Sequence, residues 1–197
     1  MKDALEALGD EGVIAFPTET VYGLGADPRS ERAVNRIYRL KGRPYGKPLL
    51  LVASSFAQVR KVAVLREMSL VLAKKYWPGP LTLVLPAVSG VGLAKEITPN
   101  GEVAIRIPSS GVARGLARRF GFPIVATSAN LSGEPECRTA EEVARVFGGQ
   151  LDAVVDGGRC LSGRPSTVAR VGADGRLEVL REGAIRFTRR DGHVPMW

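Results

Sequence analysis

The stretch Gly12-Val-Ile-Ala-Phe-Pro-Thr-Glu-Thr-Val-Tyr-Gly-Leu-Gly25 sets the terms for the rest of the chain. "GVIAF" is a short apolar run bounded by glycine and proline, and it reads as a buried strand. The next residues are richer in chemistry than a plain connection needs. Two threonines, a glutamate, a tyrosine and two glycines crowd into "PTETVYGLG". In α/β proteins the loops at strand C-terminal ends build the ligand crevice, so hydroxyls and a carboxylate there point to binding. Familiar nucleotide motifs do not explain it. "GLGADP" has Pro28 where a dinucleotide fingerprint needs its third glycine, and no G-x-x-x-x-G-K-[ST] occurs.

Working outward, helical and strand patterns alternate. A helix is predicted over about residues 2–11, then the "VIAF" strand, then a helix in "SERAVNRIYRLKG" capped by Ser30. A strand spans Pro48–Ser54, and Ser54 or Ser55 caps a helix running to Val62. A further helix, about Met68–Tyr76, stops at "WPGP". "LTLVLP" and "EVAIRIP" are strands, "GVARGLARRFG" is a helix closed by Gly121, and "PIVAT" is an apolar strand. "TAEEVARVFGG" opens with a capping box, Thr139 with Glu142, and "AVVD" is a strand. "STVARVGADGRLEVLREG" predicts a hairpin turning at Asp174-Gly175. The adjacent strands near 81–107 and the hairpin require antiparallel pairing, so the pattern predicts an α/β fold with a mixed parallel and antiparallel sheet flanked by helices. No linker or repeat interrupts it. One domain is expected over 1–197, with a core of about 5–185 and a basic tail over 186–197.

Composition narrows the function classes. The 197 residues are 45% hydrophobic and 24% charged, ordinary for a soluble globular chain. No apolar run approaches the roughly 20 residues of a membrane helix, and the start lacks an apolar signal region, so no membrane or secretory role is expected. A single histidine, His193, excludes histidine-based triads and multi-histidine metal sites. Cys137 and Cys160 lack metal spacing and read as free structural thiols. The net charge of +8 invites polyanions, a nucleotide or a tRNA, although a solvated basic surface would give the same count.

Four stretches carry candidate chemistry, each weak alone. "LKGRPYGKPL" (Leu40–Leu49) puts Lys41, Arg43 and Lys47 on a glycine- and proline-broken turn, suited to phosphates or simply to water. "PIVATSANLSGEP" runs from an apolar strand into Ser128, Asn130 and Ser132, a ligand loop or a helix cap. "VAIRIP" buries Arg106 in an apolar strand, costly unless it meets a partner or lies on an edge. "GRPSTVARV" and "VLREGAI" place Ser166 and Arg181 at strand ends.

Together, "FPTETVYGLG", "KGRP", "WPGPLTLVLP", "VAIRIP", "TSANLSGEP" and "STV…LREGAI" resemble, in order and over about Gly12–Ile185, the YrdC-type L-threonylcarbamoyladenylate synthases in their short, single-domain form. The resemblance implies a nucleotidyltransferase joining L-threonine, bicarbonate and ATP, the ATP carrying Mg²⁺, into threonylcarbamoyl-AMP with release of pyrophosphate. It implies a cytoplasmic role in tRNA t6A modification, through a downstream transferase complex, with direct tRNA contact left open. By position, Thr20, Arg106 and Ser166 would hold threonine. Lys41 and Arg43 would act on the phosphates as the catalytic pair, with Lys47, Ser128, Asn130 and Arg181 completing the nucleotide site. The strand after the K-x-R loop carries no histidine, and Glu136 stands where longer members often have serine.

The chemistry agrees with what the chain lacks, because the substrate's own carbamate is the nucleophile and no Ser-His or Cys-His pair is required. Two other classes fit parts of the pattern. A carbamoyl-adenylate module would use carbamoyl phosphate, and its usual companion domains are not in this sequence. An RNA-binding or ribosome-maturation protein would suit the charge, but 6% aromatic residues in no ordered array is poor material for base stacking.

Overall fold

Proline at 17 and the glycines at 23 and 25 do not end the sheet after one strand; they fold the opening stretch back on itself. The computed structural model describes residues 1–160, 164–172 and 176–187. In it α1 (Lys2–Gly9) leads into β1 (Ile14–Pro17), and β2 (Tyr22–Gly25) returns antiparallel with Phe16 opposite Gly23 and Ile14 opposite Gly25. Only Thr18-Glu19-Thr20-Val21 connects them. Gly25 is fixed by packing: a Cβ there would lie 2.7 Å from Phe16 Cε1 and 3.1 Å from the Val125 carbonyl.

The chain continues through α2 (Glu31–Lys41), β3 (Leu50–Val52), α3 (Phe56–Val62), α4 (Glu67–Tyr76), β4 (Leu81–Pro86) and β5 (Glu102–Arg106). Then come α5 (Gly111–Phe120), β6 (Ile124–Ser128), α6 (Ala140–Phe147), β7 (Ala153–Val154), β8 (Thr167–Val171) and β9 (Leu177–Arg181). Ser30, Ser55, Ser110 and Thr139 each accept a backbone N–H at a helix start. The Thr139–Glu142 box is shifted by one residue: Thr139 caps as expected, but the Glu142 carboxylate accepts from Arg138 N at 2.6 Å. The nine strands among the described residues form one mixed sheet in the order β7-β1-β2-β6-β3-β5-β4-β8-β9. The β7–β1, β3–β5 and β4–β8 pairs are parallel and the rest antiparallel. Residues 173–175, which hold the expected hairpin turn, and most of the 186–197 tail with His193 lie outside the described residues. Ile185 and Phe187 pack against the core, so the chain stays docked beyond Gly183.

Alternate strand residues feed two cores. The larger contains Ala15, Leu24, Leu51, Leu83, Val103, Ile105, Val125 and Ala169, covered by apolar residues of α2, α3, α4 and α6. The smaller contains Ile14, Phe16, Val52, Ile124 and Ala126, covered by Ala4 and Leu8 of α1 and Ala113, Leu116 and Ala117 of α5. Each fully buried aliphatic or aromatic side chain stabilises the fold by roughly 1.5–3 kcal/mol. No residue of β4, β5 or β8 belongs to the smaller core. Among the described residues no helix of the smaller core covers their alternate side chains, and that half of the sheet is where a ligand fits.

Candidate active site

The directly paired residues Ala126, Leu50, Ala104, Val84 and Arg170 cross β6, β3, β5, β4 and β8 and form the floor of a cavity of about 500 Å³. That volume lies within the range of small-molecule sites. Five cations line it, Arg43, Lys47, Arg106, Arg170 and Arg181, against two carboxylates, Glu102 and Glu136.

One wall is the β1–β2 turn. Thr18 ties it: its hydroxyl donates to the Val21 carbonyl at 2.7 Å, accepts from the Val21 and Thr20 amides, and meets the Thr20 hydroxyl at 2.8 Å. Tyr22 anchors the turn from behind, with its hydroxyl donating to the Gly158 carbonyl at 2.9 Å. Glu19, between the two threonines, forms an ion pair with Arg106. Arg106 does not sit on an edge strand; β5 lies between β3 and β4, and the residue is only 4% exposed. Burial pushes its pKa down and Glu19 opposes the shift. Glu19 Oε2 and Arg106 Nε have no hydrogen-bond partner among the described residues, so the pair is incompletely satisfied.

At the neighbouring corner Ser166 Oγ meets Thr82 Oγ1 at 2.8 Å, and Arg181 Nη2 donates to the Ser166 carbonyl at 2.8 Å. Gly183 is required here, because a Cβ would lie 2.5 Å from the Pro165 carbonyl oxygen, Ser166 C and Thr167 N. The opposite wall is the loop after α2. Arg43 donates from Nε to the Lys47 carbonyl at 3.2 Å and from Nη2 to the Pro48 carbonyl at 3.0 Å, bracing its own loop while lining the cavity. Burial lowers the Arg43 pKa. Arg181 is lowered first by burial, with Arg106 and Arg43 adding and Glu136 opposing. Cations that repel one another inside one cavity are relieved by a polyanion.

Of the residues singled out in the sequence, Thr20, Arg43, Lys47, Arg106, Ser128, Ser166 and Arg181 line the cavity. Lys41 and Asn130 do not; they lie behind the wall, bonded to each other. Among the lining residues outside that set are Thr18, Thr82, Glu102 and Arg170. Arg170 carries the same signal as Arg106, an arginine on an otherwise apolar strand, "TVARV" beside "VAIRI". It donates to Glu102 at 2.8 Å, and its Nε has no hydrogen-bond partner among the described residues. Among the described residues no group of three or more His, Cys, Asp or Glu could hold a metal ion, and no helix is long and apolar enough to cross a membrane.

A model of the Sua5/YciO/YrdC family, whose description reads "Telomere recombination", matches residues 6–183. A threonylcarbamoyl-AMP synthase of Pyrococcus abyssi is 45% identical over 158 residues, 79% of this chain and 46% of the relative. One of Bacillus subtilis is 42% identical over 184 residues, 92% of this chain and 53% of the relative. The chain thus spans about half the length of these curated relatives. The crystal structure of P. abyssi Sua5 complexed with L-threonine superposes with a TM-score of 0.85 at 41% identity, over 91% of this chain and 53% of that one.

Proposed function

The chain belongs to the Sua5/YciO/YrdC family, and we propose that it is a threonylcarbamoyl-AMP synthase, forming that product and pyrophosphate from L-threonine, bicarbonate and ATP. The observation that carries the reading is one cavity with Arg106, paired to Glu19, beside threonine hydroxyls on one wall and converging arginines on the others. A zwitterion suits the first and a triphosphate the second. The P. abyssi relative solved with L-threonine supports threonine as the amino acid.

In this reading Arg106 takes the threonine carboxylate, and Thr20 and Ser166 hold its polar groups. The threonine amine, after losing a proton, adds to CO₂ derived from bicarbonate. A carbamate oxygen of the product then bonds to the α-phosphorus as the bond from that phosphorus to the β-phosphate bridging oxygen breaks. The electron pair leaves with pyrophosphate, and Arg43, Arg181 and Lys47 stabilise its charge. The nucleotide would enter as its Mg²⁺ complex. Glu136 lines the cavity beside these cations and provides one carboxylate, a donor set that fits Mg²⁺ when phosphate oxygens and water complete it. Bound there, the ion would neutralise the leaving pyrophosphate. The product would serve tRNA t6A synthesis in the cytoplasm through a separate transferase.

The test is product identity. Incubation with ATP, threonine and ¹³C-bicarbonate should yield singly labelled threonylcarbamoyl-AMP by mass spectrometry. Labelled product formed without threonine, or adenylate formed only from carbamoyl phosphate, overturns the assignment.

A further inference from the structure

Lys41 is the last residue of α2, and it is not among the residues that line the cavity. It is 2% exposed. Its ammonium donates to the Ser128 carbonyl, to the Asn130 carbonyl at 2.8 Å and to Asn130 Oδ1 at 2.8 Å. An ammonium has three protons, and all three are spent on this one loop. The loop answers in kind: Ser132 N donates to the Lys41 carbonyl at 2.8 Å. Asn130 is used up in the same network. Its Oδ1 also accepts from Ser128 Oγ at 2.7 Å, and its Nδ2 donates to the Glu134 carbonyl at 2.6 Å.

Both segments that Lys41 joins reach the cavity. One residue beyond Gly42, the chain becomes the Arg43–Pro48 wall, and the loop after Ser128 returns to line the cavity as Glu136. Gly42, left-handed at φ 57°, turns the chain sharply between Lys41 and Arg43. So two residues of one short motif point in different directions, one into the cavity and one into the frame.

We propose that Lys41 is a positioning residue that pins the 128–134 loop to the end of α2, fixing the spacing of the two nucleotide walls, and that it does not touch the phosphates. This rests on the reading of the cavity as a nucleotide site. A pin acts on the shape of the whole site, so its loss weakens every nucleotide alike. A phosphate contact acts in proportion to the phosphates present.

The experiment measures binding of adenosine, AMP, ADP and ATP at constant ionic strength to the wild type, Lys41→Met, Asn130→Ala, the double variant and Arg43→Met. Lys41→Met should weaken all four ligands by one common factor of about tenfold. Asn130→Ala should do the same, and the double variant should be no worse than either, because both break one network. Arg43→Met should lose progressively more affinity as phosphates are added. Lys41→Met that spares adenosine and loses ATP overturns the proposal in favour of direct phosphate contact. Four affinities equal to wild type overturn it as well.

Amide hydrogen exchange on the ligand-free proteins decides the pin independently of any ligand. In Lys41→Met, exchange at Ser132 and its neighbours should rise while the amides of β4 and β5 stay protected. Unchanged exchange at Ser132, or a loss of protection throughout the sheet, overturns it. A wild type that binds none of the four ligands defeats the nucleotide reading, and exchange still decides the pin.

Discussion

The Glu19–Arg106 pair organises one end of the cavity, and removing its cation tests how. In Arg106→Met the Glu19 carboxylate loses its partner while still mostly enclosed, with its side chain 18% exposed. Breaking a buried pair from one side costs about 3–5 kcal/mol. The lower figure applies, because Glu19 Oε2 and Arg106 Nε are already without protein partners and the pair is incompletely satisfied. A chain of this size loses about 2–4 °C of melting temperature per kcal/mol, so about 3 kcal/mol lowers Tm by about 6–12 °C. Adding Glu19→Gln removes the stranded charge, and the double variant should regain most of that loss. Threonine binding should not recover. A lost charge-assisted contact to its carboxylate is worth about 1.5–3 kcal/mol, so threonine KM rises about 10- to 150-fold in both Arg106 variants. Differential scanning fluorimetry and initial rates against threonine provide both readouts. If Arg106→Met melts within about 2 °C of wild type with threonine KM unchanged, the pair neither strains the fold nor reads the substrate, and the reasoning fails.

Gly183→Ala should lower stability by about 1–3 kcal/mol and raise threonine KM, because the new Cβ strikes the backbone at Ser166; an unchanged melting curve refutes the clash. Burial lowers the Lys41 pKa to about 8 from 10.5, with Arg43 adding and Glu136 and Cys137 opposing. The folded value lies below the unfolded one, so the unfolded chain holds more protons between them, and this group's contribution to stability rises as pH climbs from about 8 to 10.5. Site shape runs the other way, since a neutral amine donates only two protons to three acceptors. ATP KM should therefore rise above about pH 8 in wild type but not in Lys41→Arg, and a profile shared by both contradicts this. Cys137 and Cys160 are buried with their thiol pKa values pushed up by burial, so both should resist alkylation until the protein is unfolded. Fast labelling of the native protein contradicts it.

Much of the fold was legible because the strands obey simple periods. "EVAIRIP" alternates, and its alternation is what sends Val103 and Ile105 to the core and Arg106 to the cavity. β2 was not legible as a strand, because Tyr-Gly-Leu-Gly has poor strand propensity. Its glycines answer to Phe16 and the Val125 carbonyl, neighbours that only the folded sheet supplies. Most of the site residues could be named by motif, but their directions could not. Lys41 and Arg43 are two residues apart in "KGR", yet one faces Asn130 inside the frame and the other faces the cavity. That difference depends on the left-handed Gly42 and on a loop 89 residues away, which no local pattern encodes.

A cavity that joins an amino acid to a nucleotide must release pyrophosphate from ATP, and that release is the decisive measurement. Release is predicted only when threonine and bicarbonate are both present, with rates saturating in each. Release that is indifferent to threonine, or absent with all three substrates supplied to folded protein, contradicts the account.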